Sequence, residues 1–205
     1  MRILILGATG RVGSLIVEHA LRDGHEVTAL VRDPGKVRAR EGLTVNKGNA
    51  CNAADIRRVM EGQQAVISAL NTDGTTTLSD SMPIIIDAMR EFGIRRIVTV
   101  GTAGILQSRT EPELLRYQSS DSKRKSTRAA EEHRRVYELL QASELDWTIG
   151  CPTYLPDGEA VGGYRMERDK LPEGGERITV GDTAEFVYGQ IKDRQYIHAR
   201  VGIAY

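Results

Sequence analysis

The chain has 205 residues, which suits one domain with a single core and requires no disulfide or metal staple. Lysine plus arginine equals aspartate plus glutamate, 28 of each, so no whole-molecule field draws it to nucleic acid or an acidic membrane; small-molecule chemistry fits that balance better. The opening Met1-Arg2-Ile3-Leu4-Ile5-Leu6 offers four apolar residues before Gly7, too few for a signal peptide or for the roughly 20 of a membrane span, so the expected location is cytoplasmic.

Residues 3–6 form a continuous apolar run, as expected of a parallel strand covered on both faces. After a glycine-rich stretch, Val12, Leu15, Ile16, His19 and Ala20 recur at helical spacing, and Gly24 follows as a stop. A second strand is expected at 27–31 and a short third at 43–45. Asn52 is placed to cap a helix running to Glu61 and ended by Gly62, before a fourth strand at 65–70. The next helix starts near Ser79 or Asp80, with Pro83 in its first turn, where a missing N–H costs little. Ile85, Ile86 and Met89 face its core, Gly93 ends it, and a fifth strand occupies 95–100. The polar stretch 107–128 has no clear period and reads as a surface loop or lid with some helix. His133, Val136, Tyr137 and Leu140 mark a further helical face leading to a sixth strand at 147–151. The remainder holds Ile178-Thr179-Val180, a helix from about 182 to 192 and a terminal strand near 196–199.

Strands alternating with helices imply a single α/β domain over residues 1–205. The expected architecture is a doubly wound parallel sheet of Rossmann type, with helices on both faces and a small C-terminal extension from about residue 151 on the substrate side. Cys51 and Cys151 have no ligand partners at recognisable spacing and are expected to be small packed side chains.

The strongest chemical signal is Gly7-Ala8-Thr9-Gly10-Arg11-Val12-Gly13. It leaves an apolar strand and opens an amphipathic helix, the setting in which glycines turn tightly, admit a pyrophosphate and let helix and sheet pack. The helix start aims unpaired N–H groups at the phosphates, so the turn is expected to bind a dinucleotide. Arg32 ends the second strand and can pair with the 2′-phosphate of NADP(H), with Arg11 nearby through the turn; alternatively Arg32 is a solvated residue and Asp33 recognises a ribose, which leaves NAD(H) open. Ligands of open parallel sheets bind beyond the carboxyl ends of the strands, here Asn49, Ala50, Ala69, Leu70, Asn71, Gly101, Thr102, Pro152 and Thr153. Thr102 either hydrogen-bonds a substrate or caps a turn. Tyr154 either packs on a flat ligand or belongs to the core or lid. His133 shares a face with Val136 and Leu140, which favours a packed histidine over a catalytic one. Lys123-Arg124-Lys125 is a short basic run, most simply a solvated loop segment.

The glycine turn, the strand end Leu30-Val31-Arg32-Asp33-Pro34, the stretch from Val98 to Gly104 and the passage from Leu139 to Pro152 resemble the atypical short-chain dehydrogenase/reductase superfamily. The resemblance covers about residues 1 to 190 and points to the branch with NmrA-like proteins and the flavin reductase/biliverdin IXβ reductase group. Asn49 stands where relatives often carry an acidic residue beside the adenine. Typical members use a Tyr-x-x-x-Lys pair for proton transfer. Here Tyr117 is followed by Asp121 and Tyr137 by Gln141, while Tyr188 and Lys192 match the spacing only in the final helix. What the resemblance then implies is an NADPH-dependent reductase of a flat acceptor, a flavin, quinone or linear tetrapyrrole, with Thr102, His133 and Tyr154 shaping the acceptor pocket. The alternative is a non-catalytic NADP(H)-binding redox sensor of NmrA-like type. An epimerase or dehydratase fits less well without the pair. Monomer or weak homodimer is the expected state.

Overall fold

The computed structural model describes residues 1–122 and 126–205, and the basic run Lys123-Arg124-Lys125 lies outside the described residues. Five helices and eight strands alternate along it: β1 (Arg2–Leu6), α1 (Arg11–Arg22), β2 (Glu26–Val31), β3 (Leu43–Lys47), α2 (Ala53–Met60), β4 (Ala65–Ser68), α3 (Thr77–Glu91), β5 (Arg96–Val100), α4 (Arg128–Gln141), β6 (Asp146–Pro152), β7 (Arg165–Arg168), α5 (Val180–Gly189) and β8 (Ala199–Ala204). One sheet holds all eight strands in the order β3-β2-β1-β4-β5-β6-β8-β7. Every pair is parallel except β7 with β8. This is a Rossmann-type α/β fold, and the strand order reverses between β1 and β4, where such sheets open a ligand crevice.

The strand pleat divides the core into two layers. Leu4 and Leu6 of β1 pack with Ile56, Ile85, Met89, Val136 and Leu140, the apolar faces of α2, α3 and α4. Ile3 and Ile5 point the other way, into Ile16, Val17, Ala184, Phe186 and Val187 of α1 and α5. Because both faces are covered, the central strands carry runs of apolar residues with no polar alternation. Among the described residues, no helix is long and apolar enough to cross a membrane.

Three expectations are corrected. Pro83 lies in the second turn of α3, because the helix begins at Thr77. The early start is held from outside: the Ser79 N–H and hydroxyl donate to the buried Glu132 carboxylate on α4, at 3.2 and 2.9 Å. The terminal strand begins at Ala199, since Tyr196 packs against Phe186 and His198 turns the chain at φ +57° before the ladder starts. Third, the sheet is not wholly parallel: the unforeseen β7 pairs antiparallel with β8. Thr179 caps α5 by accepting the Asp182 N–H at 3.1 Å. Asn52 caps α2 as its sequence position implies, accepting from Asp55 N–H at 3.0 Å.

Candidate functional site

The glycine turn joins the end of β1 to α1 at the point where β4 also ends. Gly7 holds φ +80°, and a Cβ there would lie 2.4 Å from the Ala69 carbonyl oxygen. Gly13 lets α1 close onto the turn, since a Cβ would meet the Gly7 carbonyl oxygen at 2.1 Å. The middle glycine is different. A Cβ on Gly10 would sit 3.2 Å from the Gly7 oxygen, crowded but not barred, so what its absence leaves clear is the groove beside it. Gly10 is the N-cap of α1, no side chain caps the helix, and its first turn has no acidic residue. The amides at the helix start are therefore available to an anion, and the helix dipole favours one there.

That groove, about 300 Å³, is lined by Gly7, Thr9, Gly10, Arg32, Gly48, Asn49, Ala50, Cys51, Ala69, Leu70, Asn71, Asp73 and Thr77 among others. It gathers most of the residues expected from the strand ends. Arg32 stands at its side with an exposed guanidinium, 3.6 Å from the Asp73 carboxylate. The neighbouring Asp33 is occupied otherwise: its carboxylate accepts the Gly35 N–H at 3.0 Å and caps a 3-10 turn. Asn49 accepts the Cys51 N–H through its side chain and donates its own N–H to Asp55. Cys51, expected to be packed, is half-exposed on the groove wall, whereas Cys151 is fully buried and its thiol is pushed up to about 12 by that burial.

A second and larger cavity, about 750 Å³, opens on the other side of the turn, beyond the ends of β5 and β6. Arg11, Ala103, Gly104, Arg116, Asp121, Ser122, Thr153, Tyr154, Leu155, Gly175 and Glu176 line it. Arg11 belongs here, away from the Arg32 groove. Its guanidinium bonds the Leu155 carbonyl at 3.1 Å and the Asp157 carboxylate at 2.7 Å, which ties the start of α1 to the loop after β6. Tyr154 is 69% exposed at this cavity. Thr153 donates to the Glu176 carbonyl at 3.4 Å.

Other expected residues lie behind these walls. Ala8 and Val12 are buried, so only their backbone is offered. Gly101 and Pro152 are buried, and Gly101 leaves room for Ile149, which a Cβ would approach to 2.5 Å. Thr102 is also buried and caps the 3-10 turn Ala103–Ile105 by accepting the Gly104 N–H at 3.4 Å. His133 is half-buried on α4, and neither it nor Thr102 lines the second cavity. The tyrosines are engaged elsewhere. Tyr188 donates to Asp23 at 2.7 Å at the far end of α1, and burial, together with that bond, raises its pKa. Tyr117 accepts from Arg134 at 3.3 Å, and Tyr137 lies under the Arg200 guanidinium at 4.3 Å.

Arg116, Asp121 and Glu176 carry no sequence signal, and only the folded path of residues 106–122 brings the first two to the cavity. Cys51, Asp73 and Thr77 are likewise brought to the groove only by the fold: Cys51 and Asp73 lie in the loops after β3 and β4, and Thr77 opens α3.

A family model described as NAD(P)H-binding matches residues 7–194. The chain belongs to this family. The matched span covers both cavities' walls, from Gly7 through Glu176. The uncharacterized protein YwnB of Bacillus subtilis is 26% identical over 210 residues, covering 98% of this chain and 96% of its own. A candidate epimerase from Bacteroides thetaiotaomicron is 30% identical, with a TM-score of 0.86 over 100% of this chain and 96% of that one. A candidate NADH-flavin reductase from Streptococcus pneumoniae TIGR4 is 25% identical, with a TM-score of 0.83 over 100% and 99%. The flavin reductase-like resemblance of the sequence thus has a counterpart among solved folds. The family's cofactor also fits the groove: a Cβ at Gly7 or Gly13 would collide with backbone, the helix start is uncapped, and a guanidinium stands beside it.

Proposed function

We propose that this family member is an NADPH-dependent reductase whose acceptor is a flat conjugated molecule, a flavin, quinone or biliverdin-like tetrapyrrole. One observation carries the reading: the glycine turn separates two cavities, a narrow groove ending at Arg32 and a roomier one at Tyr154. An extended dinucleotide laid over the turn would keep its adenosine half in the first and reach the second with its nicotinamide. Bound NADPH supplies a hydride. The residues of this chain bind and orient. The uncapped amides of α1 hold the diphosphate, Arg32 meets the 2′-phosphate, and Tyr154 and Thr153 flank the acceptor. The occupation of Asp33 by its own turn favours the NADP(H) reading over ribose recognition. Aligning two flat rings is itself worth about 7–11 kcal/mol of barrier, so little else is asked of the protein.

The neighbour described as an NADH-flavin reductase supports the same class. The epimerase description of another neighbour asks for a proton relay. In this chain Tyr188 is bonded to Asp23, and the Asp121 carboxyl is held at about 2 by the Ser108 hydroxyl, the Arg109 N–H and Thr110, too acidic for a base at neutral pH. The test is to incubate the protein with NADPH and a panel of flavins, quinones and biliverdin, following loss of reduced-nicotinamide absorbance. Turnover with at least one acceptor is expected. Tight NADP(H) binding with no turnover across the panel would overturn the reductase and favour a redox sensor.

A further inference from the structure

Among the described residues lining the second cavity, Arg116 is the cation with no carboxylate within ion-pair distance. Arg11 is neutralised by Asp157 at 2.7 Å. Arg116, half-buried on the wall of the second cavity, makes a single side-chain hydrogen bond among the described residues, to the Asp121 backbone carbonyl at 3.3 Å, and no ion pair. Most of its five N–H donors are left over. The Asp121 carboxylate does not use them: it accepts the Ser108 hydroxyl at 2.7 Å, the Arg109 N–H at 2.9 Å and the Thr110 hydroxyl at 2.9 Å. Glu176, the other carboxylate on the wall, is exposed to solvent.

The position of Arg116 is built. Its N–H donates to the Leu106 carbonyl at 2.8 Å, Leu115 bridges Gln107, and the Leu115 N–H is accepted by Gln118 at 3.1 Å. Of the stretch expected to be a surface loop or lid with some helix, residues 107–122 form a hydrogen-bonded platform that follows β5, and Arg116 is what it presents to the cavity. Burial lowers the pKa of this guanidinium against the pull of Asp121, with Arg109 adding like charge. A desolvated cation facing an open cavity is costly unless the ligand completes it.

We infer that Arg116 is a specificity residue that selects acceptors carrying an anionic appendage, a phosphate or carboxylate, on the flat ring system. The inference rests on the second cavity being the acceptor site. It predicts discrimination within matched pairs that share a ring and differ in charge: FMN against riboflavin, and biliverdin against its dimethyl ester. Equilibrium binding is measured by fluorescence quenching or difference absorbance on protein saturated with NADP+, so the readout does not depend on turnover. In at least one pair the charged member should bind about tenfold more tightly, the scale of one charge-assisted hydrogen bond. Arg116→Gln should bring it down to its neutral twin, which stays unchanged, and Arg116→Lys should keep part of the preference. Should Arg116→Gln fail to fold, the wild-type preference and its loss on raising salt carry the same test. Absence of preference in both pairs, or an equal loss for both members in Arg116→Gln, overturns the inference. Charge discrimination that depends on Arg116 but comes without NADPH oxidation would sink the reductase reading and leave Arg116 as the anion-selecting residue of a binding cavity.

Discussion

Replacing Gly13 with alanine puts the cofactor site and the fold under one strain. A methyl at this position would lie 2.1 Å from the Gly7 carbonyl oxygen, 2.8 Å from its carbon and 3.3 Å from the Ala8 Cα. These are backbone atoms of the turn, so no side-chain rotation relieves the overlap, and α1 must retreat by roughly 1 Å to restore ordinary contact. Overpacking of this kind costs about 1–3 kcal/mol. Alanine returns about 1 kcal/mol as the better helix former. The net loss is then about 0–2 kcal/mol, or a Tm lower by up to about 8 °C for a domain of this size. The retreat also draws the amides at the start of α1 away from the diphosphate, and losing one or two charge-assisted bonds raises the NADPH Kd by about 10–100-fold. Gly10→Ala is the contrast. Its methyl would stand 3.2 Å from the same oxygen and 4.0 Å from the Ala69 oxygen, so the fold tolerates it while the groove beside it is obstructed. Thermal melts and calorimetric titration with NADPH separate the two variants. A Gly13→Ala protein with unchanged Tm and a Kd within about twofold of wild type would refute the reasoning.

Arg32→Ala should raise the NADPH Kd by about tenfold or more while leaving NADH unchanged, and stability should move by less than about 0.5 kcal/mol because the Asp73 pair is exposed. Equal losses for both cofactors in the titration would contradict the 2′-phosphate role. Asp182 is buried and accepts from the Val161 and Gly162 N–H groups, Thr179 and the Tyr205 hydroxyl. Burial pushes its pKa up, but the Tyr205, Gly162, Val161 and Thr179 bonds outweigh that and hold it below the usual range. Its stabilisation is therefore present above the unfolded pKa of about 3.9 and lost as pH falls toward the lowered folded value. Melts from neutral to acid pH should show a steeper acid decline in wild type than in Asp182→Asn, itself destabilised by about 2 kcal/mol at neutral pH; parallel acid limbs would count against it. Tyr188→Phe removes the bond to Asp23 and should cost about 1 kcal/mol with NADPH turnover unchanged. A collapse in turnover would instead point to Tyr188 as a proton-transferring group.

The groove was legible because its determinants are local. An apolar strand, three glycines and an amphipathic helix sit within 22 residues of one another, and Arg32 follows directly from the end of β2. The acceptor side was not, because Arg116 and Asp121 owe their places to bonds reaching up to 13 residues back along a polar segment with no period. Placing His133 with the acceptor leaned on resemblance, while its helical face, shared with Val136 and Leu140, argued for packing. β7 escaped notice since Arg165, Met166 and Arg168 are exposed and only Glu167 is partly covered, leaving no alternation to read. That segment becomes a strand because β8 offers an unpaired edge. Pro83 misled through a sound rule applied one turn late, as the anchor at Glu132 lies 53 residues from Ser79.

The placement of β8 between β6 and β7 has a consequence for biosynthesis. As the ribosome releases the chain in order, β6 emerges with one ladder edge open and its apolar neighbours Phe186 and Val187 facing a gap, and β7 has nothing to zip onto. Both vacancies close only when residues 199–204 arrive, all six of them buried. A nascent or truncated chain lacking that last segment would present a bare strand border to its surroundings, the situation in which chaperone capture competes with aggregation.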